Sequence, residues 1–105
     1  MNFDPTVGTE IQKTRPAVVI SSDAIGRLPV KVVAPLTEWR DGFAGDVWHV
    51  LVVPDAGNGL SKLSAADVLQ VRGVDTQRCL SRIGRVSETV LVEIVTSLAL
   101  VVEYQ

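Results

Sequence analysis

Apolar and polar positions follow one rhythm up to residue 86 and a different one after it. In the first part, short β-branched runs alternate with loops punctuated by Gly, Pro, Asp and Asn. Such runs predict strands, because branched side chains suit a pleated, buried surface. The expected strands are residues 17–20, 30–36, 48–53, 67–74 and 82–86, with a short helical turn over 75–80. Asp4-Pro5-Thr6-Val7-Gly8 reads as a turn, and residues 8–15 form a polar loop before the first strand. Further loops are expected at 21–27, 38–47 and 54–62.

After residue 86 the spacing becomes helical. Val90, Leu91, Ile94, Val95, Leu98, Val101 and Val102 recur on one face. Ser87 suits the N-cap, and Glu88 suits the positive end of the helix dipole. Valine and threonine are mediocre helix formers, so packing must hold this helix. Several short strands and one terminal helix predict a mainly β fold, a small twisted barrel or sandwich with the helix packed on it.

Composition narrows the class. A chain of 105 residues, 47% apolar and 21% charged with a formal charge of −2, fits one globular domain able to bury its own core. The apolar stretch 90–102 is broken by Glu93, Thr96 and Ser97 and is shorter than the ~20 residues of a membrane span. The N-terminus carries no basic, apolar leader, and the lone Cys79 offers no internal disulfide. A cytoplasmic location without membrane association is therefore expected. All ten Lys/Arg lie in residues 1–86, beside nine of the twelve acids. A near-neutral body of this kind suits a short single-stranded ligand in a local basic groove better than extensive duplex contact.

Metal and cofactor chemistry finds no support. His49 is the only histidine, it sits in a predicted strand, and no His/Cys cluster has ligand spacing. There is no phosphate-binding glycine loop and no dinucleotide fingerprint. The remaining polar residues stand at loop–strand junctions, where a rigid scaffold positions them. Glu10, Lys13 and Arg15 precede the first long strand, and Thr37 follows the second. Arginine there suits phosphate, because its planar fork meets two oxygens, and a threonine hydroxyl can donate to the same group. A solvated loop with Arg15 paired to Glu10 is the alternative.

These residues also carry a resemblance. Asp4-Pro5-Thr6-Val7-Gly8-Thr9-Glu10 and Arg15-Pro16-Ala17-Val18-Val19-Ile20-Ser21 resemble the N-terminal signature of the MazF/PemK toxins. Ala34-Pro35-Leu36-Thr37 resembles the second signature. Gln70-Val71-Arg72-Gly73-Val74-Asp75, followed by Arg82-Ile83-Gly84-Arg85-Val86, resembles the third. The resemblance implies an SH3-like small barrel, a homodimer, and a cognate antitoxin. It further implies a type II toxin that cuts single-stranded RNA without a metal or other cofactor. By position, the active-site residues fall on Arg15, Thr37 and Glu10, with RNA contacts at Thr9, Lys13, Trp39, Gln70 and Arg72.

The implied chemistry is attack by a ribose 2′-OH on the adjacent phosphate, which DNA cannot undergo. Arg15 and Thr37 would stabilise charge gathering on the phosphate oxygens. A guanidinium with a pKa above ~12 makes an electrostatic clamp rather than a proton shuttle. Glu10 would act as base or would orient Arg15. Two departures from the family stand out. Only Asn2-Phe3 precedes the Asp-Pro turn where members carry an apolar strand, which predicts an open barrel edge; and Leu69 stands where some members have an aspartate. Trp39 is open to base stacking or packing, and Trp48 is expected in the core. Because the same barrel hosts gyrase poisons, a non-catalytic binding module is the alternative function.

Overall fold

The computed structural model describes residues 15–21, 29–75, 77 and 82–102. Five antiparallel strands and a C-terminal helix carry the fold. They are β1 (Ala17–Val19), β2 (Val30–Glu38), β3 (His49–Val52), β4 (Ser64–Asp67), β5 (Arg72–Asp75) and α1 (Glu88–Val101). The main path through the sheet runs β1-β2-β4-β3, and β5 pairs with β2 as well. Among the described residues the sheet does not close, and β1 is an edge strand. A groove of about 840 Å³ runs along that edge, lined by residues including Ala17, Val19, Leu60, Arg82 and Arg85.

Strand β2 organises the sheet because it is long enough to use both its edges. Leu36 donates to the Pro16 carbonyl at 3.1 Å on the β1 side, and Trp39 donates to the Leu63 carbonyl at 2.9 Å on the β4 side. Backbone groups alternate sides along a strand. The donor that Pro35 lacks therefore belongs to the β4/β5 edge, where a ladder bond would be missing. The chain opposite departs from the ladder there. β4 pairs with residues 36–38, β5 pairs with residues 30–33, and the 3-10 turn Val68–Gln70 fills the step between them. Asp67 caps that turn by accepting from Leu69 N at 3.1 Å.

The expected strand over 67–74 is thus two strands separated by a turn. Its first half begins earlier than expected, in a Ser-Ala-Ala-Asp sequence of low strand propensity. Pairing on both edges compensates: Ser64, Ala65 and Ala66 are buried between β2 and β3.

The main core lies between the sheet and α1. Val18, Ala34, Leu36, Val50, Val52, Ala66 and Val68 surround Ile94, which is fully buried. Val90, Leu98 and Val101 pack on the same cluster. Ser97 also lies on the buried face and donates through Oγ to the Val47 carbonyl. Val95 and Val102 are exposed, so the helix is rotated away from part of its expected apolar face. Its start agrees with expectation, since Ser87 Oγ accepts from Val90 N at 3.2 Å. A smaller cluster of Val33, Val74 and Ala17 lies on the opposite face of the sheet.

Residues 82–86 form no strand. Their backbone is committed to the loop between β3 and β4 instead. Arg85 N donates to the Gly57 carbonyl at 2.8 Å. Asp55 Oδ1 accepts from Gly57 N and Asn58 N at 2.8 and 2.7 Å. The buried Asn58 accepts from Asp55 N and Leu60 N and donates to the Val53 carbonyl at 2.8 Å. Gly59 has φ +67°, and a Cβ there would stand 2.1 Å from the Ile83 carbonyl oxygen. A Cβ on Gly84 would stand 2.5 Å from the Asn58 carbonyl carbon. The expected helical turn over 75–80 falls mostly outside the described residues.

Candidate active site

Register sets the two principal candidate residues opposite each other. β1 and β2 pair as Ala17↔Pro35, Val18↔Ala34 and Val19↔Val33. The bond from Leu36 N to the Pro16 carbonyl carries the same register one residue further out. One more step sets Arg15 opposite Thr37, on the same face of the sheet. Leu36 N donates to the Pro16 carbonyl and Ile20 N to the Val32 carbonyl, which makes 16/36 and 20/32 the hydrogen-bonded positions and 15/37 a non-hydrogen-bonded one. Such pairs bring Cα atoms to about 4.5 Å and their side chains closest together. Arg15 is exposed and Thr37 is half-buried, so a forked cation and a hydroxyl stand together at the rim.

That row continues across the sheet. Thr37 pairs with Ala65, and Ala65 pairs with Leu51. Ala65 is fully buried, while Leu51 at the far end of the row is exposed. The next row contains Trp39, bonded through its backbone to Leu63, and then Val53 beyond Leu63. Leu63 and Val53 are exposed, which makes this end of the face apolar.

Aromatic rings pack beside Trp39. Its ring meets Phe43 edge-on, with centroids 5.8 Å apart at 89°. Phe43 in turn stacks on His49 at 3.7 Å and 16°. His49 Nδ1 bonds Asp46 Oδ2 at 2.8 Å. The connecting chain is tied by local bonds: Phe43 N to the Arg40 carbonyl and Asp46 N to the Phe43 carbonyl, both at 2.9 Å. The 3-10 turn Asp41–Phe43 lies inside it. Ser97 fixes its far end through Val47. Trp48 is 37% exposed rather than in the core, with its ring 6.0 Å from His49.

The other sequence-derived site residues are distributed unevenly. Thr9, Glu10 and Lys13 lie outside the described residues. Arg72 pairs with Val33 and so shares the face of Thr37, but four residues along β2, about 13 Å away. It is half-buried and engaged within the protein. Gln70 is exposed at the end of the turn that bypasses Pro35. The register therefore sets Arg15, Thr37 and Trp39 on one face at the same end of β2, and Arg72 farther along that strand. Phe43 and His49, which the sequence alone did not nominate, are brought beside Trp39 by this packing. Their signal was the odd-numbered parity of Trp39 and Thr37, combined with a lone histidine in the neighbouring strand.

Glu38 and Lys62 approach to 4.0 Å but are both largely exposed, where such pairs contribute little. Among the described residues no three His, Cys, Asp or Glu side chains converge on a metal position. Among them also, no helix is long and apolar enough to cross a membrane.

Comparison with known proteins bears on the family and the fold. Residues 1–102 match the model of the PemK-like, MazF-like toxins of type II toxin–antitoxin systems. A MazF from Deinococcus radiodurans is 25% identical with a TM-score of 0.74, covering 98% of this chain and 89% of that one. The Mycobacterium tuberculosis toxin MazF-mt6 is 20% identical with a TM-score of 0.75, covering 90% and 92%. A MazE-MazF complex from Deinococcus radiodurans is 23% identical with a TM-score of 0.67, covering 85% and 84%. No curated protein sequence matches the chain.

Proposed function

Because the chain belongs to the PemK-like, MazF-like toxin family of type II toxin–antitoxin systems, we propose that it is an endoribonuclease that cuts single-stranded RNA without a metal. The observation that supports this most directly is the β1–β2 register, which, extended one residue past the bond from Leu36 N to the Pro16 carbonyl, sets Arg15 opposite Thr37. A phosphate seated between them meets a bidentate cation and a hydroxyl donor on a rigid strand pair.

In the proposed reaction the ribose 2′-oxygen forms a bond to the adjacent phosphorus while the bond to the 5′-oxygen breaks. The 2′-hydroxyl proton passes to a base, for which Glu10 is the candidate. The departing 5′-oxygen takes a proton from solvent. The products are a 2′,3′-cyclic phosphate and a 5′-hydroxyl. Arg15 and Thr37 favour the step because charge on the non-bridging oxygens peaks in the transition state. Thr9, Lys13, Trp39, Gln70 and Arg72 are assigned to RNA binding, Arg72 on a more distant part of the strand. A cognate antitoxin, homodimer formation and a cytoplasmic location belong to the same proposal. The antitoxin has support from the shared fold of the MazE-MazF complex.

The test is incubation of purified protein with mixed-sequence single-stranded RNA in excess chelator. Cleavage leaving cyclic phosphate ends is expected, with none at a site carrying a single 2′-deoxynucleotide. Folded protein that leaves all such RNA intact sinks the nuclease reading and leaves a binding module.

A further inference from the structure

We infer that Trp39 is a stacking platform for the nucleobase next to the phosphate held by Arg15 and Thr37, and that Phe43 and His49 are positioning residues for it. The inference deepens the nuclease reading and rests on it. Three observations carry it. Trp39 follows Thr37 by two residues, and its backbone stays in the sheet through the bond to Leu63. Its side chain therefore leaves the same face as Thr37, about 7 Å along the strand. The ring is only half-buried, so it keeps surface to offer.

The second observation is the support behind the ring. An exposed indole on a loop samples several rotamers, and ordering it costs free energy when a ligand binds. Here Phe43 blocks one side of the ring, and Phe43 is itself held flat against His49. Asp46 fixes the imidazole, and Asp46 N is tied back to the Phe43 carbonyl. The tryptophan is thus held in place before any base arrives.

The third is the composition of the surroundings. Leu63, Val53 and Leu51 extend the face with exposed apolar side chains. Aromatic surface beside a phosphate-binding cation is the combination that single-stranded nucleic acid uses, since every base has a face to stack. A flat apolar row favours the base over the ribose, and it stacks any base rather than reading its hydrogen-bonding edge.

The chain holds two tryptophans, so Trp48→Phe leaves Trp39 as the sole indole reporter. This protein is titrated with an eight-nucleotide 2′-O-methyl RNA, which binds but cannot undergo 2′-OH attack. A matching abasic oligonucleotide keeps the phosphates and lacks the bases. Saturable quenching of Trp39 by the first and not by the second is expected. Trp39→Ala is expected to weaken binding of the base-bearing oligonucleotide about 5- to 150-fold and to leave the abasic one alone. Trp39→Phe restores most of the loss. Phe43→Leu gives a Trp39 with lower fluorescence anisotropy and an intermediate affinity. RNA that is bound and cleaved with Trp39 silent, or with Trp39→Ala binding as wild type, overturns this inference alone. RNA that fails to bind at all overturns it together with the nuclease reading.

Discussion

Replacing Gly59 by alanine tests how the β3–β4 loop is held. Two costs add. The residue has φ +67°, a region that costs an L-residue roughly 1–2 kcal/mol. The new methyl would also lie 2.1 Å from the Ile83 carbonyl oxygen. That neighbour is backbone, so relief requires the 83–85 segment and the loop to part by about 1.3 Å or more to reach ordinary contact distance. Parting them stretches the bond from Arg85 N to the Gly57 carbonyl and those around Asn58. Losing one or two of these adds about 1 kcal/mol each. The expected destabilisation is about 2–4 kcal/mol, or roughly 10–25 °C in Tm for a chain of this size. Urea unfolding followed by circular dichroism measures it, with an unchanged m-value expected if both variants unfold two-state. Gly59→Asn should recover part of the conformational cost but not the clash. Gly45→Ala, with open space around the new methyl, serves as the control. A Gly59→Ala midpoint within about 0.5 kcal/mol of wild type would refute the close approach of the two segments.

Other expectations address the site and its supports. Arg15→Ala should lower kcat for RNA cleavage by about 10²–10³-fold with unchanged circular dichroism, since the side chain is exposed; Arg15→Lys should recover little, because an ammonium cannot grip two oxygens at once. Thr37→Ser should retain more activity than Thr37→Val in the same assay, because only the former keeps the hydroxyl. Asn58→Ala leaves the Val53 carbonyl and two amide groups unanswered and should cost about 2–4 kcal/mol in denaturant titration. Ser97→Ala orphans the Val47 carbonyl, and should both lower stability by about 1–3 kcal/mol and speed amide exchange across residues 41–48.

Much of this arrangement is legible in the amino-acid order. β1, β2 and β3 coincide with β-branched runs, and α1 begins at the serine that propensity nominates. The Arg15–Thr37 pairing follows from register once Ala17 is known to face Pro35. What the order hides is what depends on partners. Ser64-Ala65-Ala66-Asp67 is a strand because neighbours on both edges supply its bonds, and no local preference announces it. The turn at Val68–Gln70 answers a donor missing from a proline over thirty residues earlier. Residues 82–86 have strand composition, yet Gly84 and Arg85 lie against the loop at Gly57 and Asn58. Trp48 illustrates the limit of hydrophobicity alone: the buried positions of β3 are Val50 and Val52, and the tryptophan ahead of it sits at the rim.

The place of Ile94 at the centre of the core has a consequence for the order in which the molecule comes into being. Arg15, just ahead of β1, and Thr37, in β2, precede α1 by some fifty residues or more, and both leave the ribosome before it. A lone two-stranded pair is only marginally stable in water. β1 and β2 acquire a packed face when α1, made later, covers Val18, Ala34 and Leu36. Long-range pairing of this kind slows folding towards the millisecond-to-second range. Synthesis of these residues and formation of the candidate site are therefore separate events, and the second waits until α1 has been made.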